Sequence, residues 1–201
     1  MRKVLPETLI GIRAARRAGR VLILSALGAL LSARRAPGKV FLTQDEALRL
    51  AFPVGVTVER RTAFLTEEQQ EQVRRLARIE SPPEALVAYY VGVRDGQIVG
   101  TAYFDTHRVR TQPETIMVLV DPAGKVARVE VLSFLEPEDY LPLPRWFSQF
   151  QGRQLDDELS LQRGIHPVAG ATLTVHAATD AVRRVLALHR VLHSEPSAAP
   201  R

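Results

Sequence analysis

Asp95-Gly96 sits between two stretches of β-forming residues, 86–94 (LVAYYVGVR) and 97–105 (QIVGTAYFD). A two-residue Asp-Gly connection supplies the positive backbone angles of a tight hairpin turn, and the twist of that turn matches the strands it joins. The pair is therefore expected to be antiparallel and in fixed register. Two more runs, 115–120 and 126–132, flank Asp121-Pro122-Ala123-Gly124, a tight-turn sequence, and the second carries the β-branched Val126, Val129 and Val131. The centre of the chain reads as an antiparallel β-sheet meander.

Helical signals lie on either side. Thr43 with Glu46 and Thr66 with Gln69 are capping boxes, in which a threonine and the glutamate or glutamine three residues on satisfy each other's backbone donors. They open helices expected through Leu50 and to about Arg78, ended by Pro53 and by Ser81-Pro82-Pro83. Residues 38–84 are thus expected to form a small N-terminal helical module. Val175, Ala178, Val182, Val185, Leu186 and Leu192 recur at helical spacing, so 174–192 reads as a C-terminal amphipathic helix lying on the sheet. Residues 133–144 read as an irregular loop, followed by a short aromatic helix or turn over 145–151, and 194–201 as a disordered tail. The fold class is α+β.

Charge decides which partners to consider. The formal net charge of +5 suggests nucleic acid, but eight basic side chains fall in residues 1–35 against Glu7 alone, leaving 19 basic and 21 acidic groups in the other 166 residues. A slightly acidic folded part has no excess of cations to neutralise phosphates, so nucleic acid is not expected as a partner. The apolar run 21–33 (VLILSALGALLSA), with arginines before and after it, is shorter than the roughly 20 residues of a bilayer span and fits the core of a secretory signal. Residues 1–36 are read as a signal peptide or an N-terminal membrane anchor. Arg16-Arg17 raises twin-arginine export, though the residues after it match that signal poorly. The chain is expected to act outside the cytoplasmic membrane, with a buried helix of a cytoplasmic protein as the alternative. With no cysteine, the chain itself has no disulfide, thiolate-held zinc or iron–sulfur cluster.

The segment Gly164-Ile165-His166-Pro167-Val168-Ala169-Gly170-Ala171-Thr172-Leu173-Thr174 runs straight into the last helix. A helix N-terminus presents unpaired N–H groups and the positive end of the helix dipole, which suits an anion. Gly170 lets a backbone approach a ligand closely, and Thr172 offers a hydroxyl where a phosphate would sit. On these residues alone, an empty helix cap is the favoured reading.

Ala169-Gly170-Ala171-Thr172-Leu173-Thr174 resembles the Ser-Gly-Ala-Thr-x-Thr signature of the FMN-binding domain family, which includes flavin subunits of sodium-pumping NADH:quinone reductase and the Rnf complex. Residues 134–140 (FLEPEDY), 146–152 (WFSQFQG) and 91–100 (VGVRDGQIVG) look like its periplasmic branch, found in nitrous-oxide-reductase regulators, in the same order. The resemblance covers about 86–190, and 85–193 is taken as the FMN-binding domain. It implies flavin mononucleotide (FMN) joined through its phosphate to Thr172 by a separate flavin transferase that uses FAD as donor. Gly170, Ala171, Leu173, Thr174 and Ala169 would surround the phosphate, with His166 as a further contact. The ring is expected near Glu136, Tyr140, Tyr103 or Trp146. Two positions depart from the family pattern: His166 stands where an acidic residue is usual, and Ala169 where serine or threonine is.

The expected function is an exported electron-transfer flavoprotein serving membrane or periplasmic redox proteins, with membrane association through residues 21–33 open. The departures at His166 and Ala169 leave non-covalent binding of FMN open; a non-redox binding or regulatory module that has lost or only loosely binds FMN is one alternative, and a flavin-dependent reductase of a small substrate another. No catalytic residue is assigned. His189 and His193, four apart, have metal-ligand spacing without an evident third ligand, and no metal is expected.

Overall fold

In the computed structural model, which describes residues 38–194, six strands form one antiparallel sheet in the order β1-β6-β5-β4-β3-β2. They are β1 (Lys39–Val40), β2 (Thr57–Phe64), β3 (Leu86–Arg94), β4 (Gln97–Arg108), β5 (Pro113–Val120) and β6 (Val126–Phe134). From β2 to β6 every strand lies beside its neighbour in sequence, and β1 adds to the outer side of β6. The hairpin at Asp95-Gly96 forms with φ of 50° and 75°, the left-handed conformations that Asp-Gly favours. The α+β fold, with its meander and C-terminal helix, is as expected. Among the described residues no helix is long and apolar enough to cross a membrane. The expected leader, 1–36, and the tail from 195 lie outside the described residues.

Both capping boxes close. Thr43 opens α1 (Gln44–Ala51) and Thr66 opens α2 (Glu67–Ala77), each with its reciprocal partner, Glu46 and Gln69. Between them lies β2, a strand not expected from the sequence. It pairs with β3 along its whole length, from Thr57↔Val93 to Phe64↔Leu86. The expected helical module is therefore not a separate body, and its boundary at 84/85 falls inside one sheet. The reason is physical: β2 is an exposed edge strand, and Glu59, Arg60 and Arg61 erase the apolar alternation that marks a strand.

The sheet is covered on both faces. On one, α1 sets Ala47, Ala51 and Phe52 against Ala102, Met117 and Leu132. On the other lies α4 (Thr172–Ser194), with α2 beside it. Val175, Ala178, Val182 and Val185 meet Tyr103, Ile116, Val118 and Val129, each fully buried Val or Ile contributing roughly 1.5–3 kcal/mol. The short α3 (Pro144–Phe147) stacks Trp146 edge-on against Phe147 and Phe150, with ring centroids 5.0 and 5.3 Å apart.

One buried cation ties this layer together. Arg183, 6% exposed, donates from Nε to the Ala77 carbonyl at 2.9 Å and from Nη1 to those of Asp156 and Leu159, both at 2.8 Å. The guanidinium thus closes the C-terminal end of α2, where a positive charge is favoured, and holds the 153–165 loop to α4. Arg183→Met should strand these carbonyls and lower unfolding free energy by about 3 kcal/mol or more, measured by urea denaturation. Arg183→Lys should recover less than half of that, because an ammonium cannot span three divergent acceptors.

Candidate functional site

The start of α4 forms one wall of a cleft of about 150 Å³, lined by Gly170, Ala171, Thr172, Leu173 and Thr174. Glu136 and Tyr140, from the loop after β6, form the second wall, and Val109 and Arg110, from the β4–β5 turn, the third. Seven of the eleven residues singled out from sequence for the cofactor therefore meet in one place.

Local chemistry explains why the chain turns here. Gly170 has φ of 84°, a conformation that costs a side-chain-bearing residue energy, and a β-carbon added to it would meet nothing within 4 Å. The helix begins at Thr172, two residues earlier than expected, and its first hydrogen bond runs from the Val175 N–H to the Ala171 carbonyl at 3.0 Å. The N–H groups of Thr172, Leu173 and Thr174 precede that bond and have no acceptor among the described residues. Thr174 Oγ1 donates to the Tyr140 carbonyl at 2.7 Å, fastening the first helical turn to the loop. Thr172 is exposed.

Glu136 acts differently from the ring contact expected of it. It is buried, and its Oε1 accepts from Thr111 N–H at 2.5 Å, Gln112 N–H at 2.8 Å and Thr111 Oγ1 at 3.0 Å. The Thr111 amide, above all, holds its carboxyl below the usual carboxylate range, against the opposing effect of burial. This ionised clamp fixes the turn that carries Arg110. Tyr140, 41% exposed, and Leu173, 52% exposed, leave apolar surface at the rim.

The remaining sequence candidates lie elsewhere. His166 and Ala169 are exposed and do not line the cleft. The His166 backbone is pinned at both ends, its carbonyl accepting from Trp146 Nε1 at 2.7 Å and its N–H donating to Gln149 Oε1 at 2.9 Å. Trp146 is thereby a buried anchor for the approach to the helix. Tyr103 is buried in the core, where burial raises its hydroxyl pKa, and it is hydrogen-bonded to His189 Nδ1 at 3.0 Å. His189 and His193 stack at 4.2 Å between ring centroids, and His193 Nδ1 bonds the His189 carbonyl, so these nitrogens are spent within the protein. Burial first, and His193 second, push His189 down to about 4.

A second polar cluster has no signature in any one stretch of sequence. His107 on β4 lies between two carboxylates, the largely buried Asp105 at 2.9 Å from Nδ1 and the fully buried Glu114 on β5 at 3.0 Å from Nε2. Arg184 on α4 closes the chain, 2.6 Å from the other Asp105 oxygen. Asp105 and His107 share a strand face, and His107 stands opposite Glu114 in the register. Only a known hairpin register could have revealed this. No protein-family profile and no curated protein matches the chain.

Burial alone would lower the His107 pKa, but the two carboxylates outweigh it and push the group up to about 9. With the folded value above the unfolded one of about 6.5, this stabilisation is complete below pH 6.5 and is lost as pH rises through 9. Unfolding free energy should therefore fall by on the order of 2 kcal/mol between pH 7 and 10. In His107→Gln, urea titrations across that range should show this decline largely removed.

Proposed function

We propose that this chain is an exported FMN-carrying electron-transfer protein, with the flavin attached through its phosphate to Thr172. The observation that carries the reading is the convergence of 170–174, Glu136, Tyr140 and Arg110 on a single cleft. The donor set suits a phosphate monoanion or its ester. Three N–H groups without an acceptor among the described residues stand at the positive end of the α4 dipole, Arg110 brings a cation, and Thr172 brings an accessible hydroxyl. At about 150 Å³ the cleft takes a phosphate and not a three-ring system, so the ring is assigned to the apolar rim of Tyr140 and Leu173.

When bound, FMN supplies two-electron acceptance and one-electron release, chemistry that protein side chains lack. This chain's residues would hold and orient it. Attachment needs FAD and a flavin transferase: the Thr172 hydroxyl oxygen bonds to the FMN-side phosphorus, the pyrophosphate bond breaks, AMP leaves, and the hydroxyl proton passes to the transferase. Exposure of Thr172 is what such a reaction between proteins requires. Partners in electron transfer would be membrane or periplasmic redox proteins that contribute any iron–sulfur or haem groups. The alternative, a non-redox regulatory module of the same fold, draws support from His166 and Ala169, where the resemblance to the flavin-accepting pattern breaks.

Co-expression with a flavin transferase separates the two readings. Intact mass should rise by FMN less one water, with yellow absorbance that survives denaturation, and Thr172→Ala should lose both. Protein without adduct and without bound flavin would favour the non-redox module. Arg110→Ala should leave the fold intact and lower the flavinylated fraction at limiting transferase about tenfold, since one charge-assisted phosphate contact contributes roughly 1.5 kcal/mol.

A further inference from the structure

The sheet opens between β3 and β4. Their ladder runs from Arg94↔Gln97 to Tyr89↔Tyr103 and stops there. Beyond that rung β3 stays paired with β2 as far as Phe64↔Leu86, and β4 stays paired with β5 as far as Arg108↔Pro113. Had the register continued, Ala88 would face Phe104, Val87 would face Asp105, and Leu86 would face Thr106. Instead a cavity of about 600 Å³ lies between, bounded by residues 86–88 on one side and 104–107 on the other. That is within the range of roughly 300–1,000 Å³ typical of ligand sites.

Two features hold it open. Asp105 and His107 are bonded to Arg184 and Glu114, which keep the end of β4 against β5 and α4. Leu86–Ala88 follow β2, directly after the Pro82-Pro83 segment, which cannot itself supply strand donors. We propose that this opening is a slot for an extended peptide segment of a partner protein, which enters between β3 and β4 and completes the sheet.

The kind of ligand follows from which groups are left over. Arg184, Asp105 and His107 line the cavity but are committed to one another, which leaves the exposed Glu84 as the lining charge outside that network, and a single carboxylate gives an ionic small molecule little to hold. What the two strands offer inward is backbone. Each edge carries alternating N–H and C=O groups, and an extended polypeptide is the ligand that matches such a row on both of its own edges. Side chains of the inserted segment would meet Val185 and Leu188 on the α4 side, and Tyr90 and Phe104 on the α1 side. The stacked rings of Tyr89 and Tyr103, 5.6 Å apart, close the inner end, so the slot takes about three residues in strand register.

The site is separate from the α4 cleft and does not depend on the flavin reading. A phage-displayed library of random linear decapeptides, panned on the full chain, supplies the probes. Enriched peptides should slow amide hydrogen exchange at residues 86–88 and 104–107. They should bind Thr172→Ala as they bind the wild type, and lose at least tenfold in affinity to Ala88→Trp, which fills the slot from an exposed position. Methylating alternate peptide nitrogens should cost the same peptides at least tenfold against unaltered protein, a comparison that no folding defect can affect. The proposal is overturned if no peptide is enriched, or if enriched peptides protect other residues, or if they are indifferent to N-methylation.

Discussion

The stripe of small and branched side chains along α4 fixes where everything else in the molecule falls. Ala178 and Ala181 are fully buried, as are Val175 and Val182, so the helix rests closely on the sheet and cannot slide without opening voids. Its position decides that its first turn arrives beside the β4–β5 turn and the loop after β6. Arg183 then couples the same helix to the end of α2 and the 153–165 loop. A single packed helix thus aligns a cleft at one end and an interlayer anchor along its middle.

The buried charges add specificity to that packing. A histidine between two carboxylates and an arginine is costly to desolvate and contributes net stability only when every partner is in place. Here the partners come from β4, β5 and α4, so the network is complete in one strand register and one helix position. Glu114 Oε1 is buried without a hydrogen bond, which leaves the arrangement short of one donor. A slip of β4 by one residue would turn Asp105 and His107 to the opposite face and leave Arg184 and Glu114 unmatched.

Much of this architecture is legible in the amino-acid sequence. The Asp95-Gly96 hairpin, both capping boxes and the α4 stripe are local signals, each complete within a few residues, and they stand where they are expected. The seven residues that share the cleft stand out through a short motif at a helix start together with a family resemblance. Arg110 does not, because its place depends on a turn that Glu136 holds from 25 residues away. The charges of β2 hide it. The His107 network and the opening between β3 and β4 depend on cross-strand register, which no single stretch of sequence spells out.

Because β3 to β6 neighbour one another in chain order through short turns, each of these pairings closes a short loop, and such contacts form early when a chain folds. Docking the start of α4 must close the longer span from Phe134 to Thr172. The cleft draws on segments around 110, 136–140 and 170–174, so it comes into being only with that late step. A chain whose sheet has formed but whose last helix is undocked displays Thr172 without Arg110 or Tyr140 beside it. An enzyme that recognised the assembled surface would pass over such a chain, so the modification proposed at Thr172 would mark molecules that have finished folding.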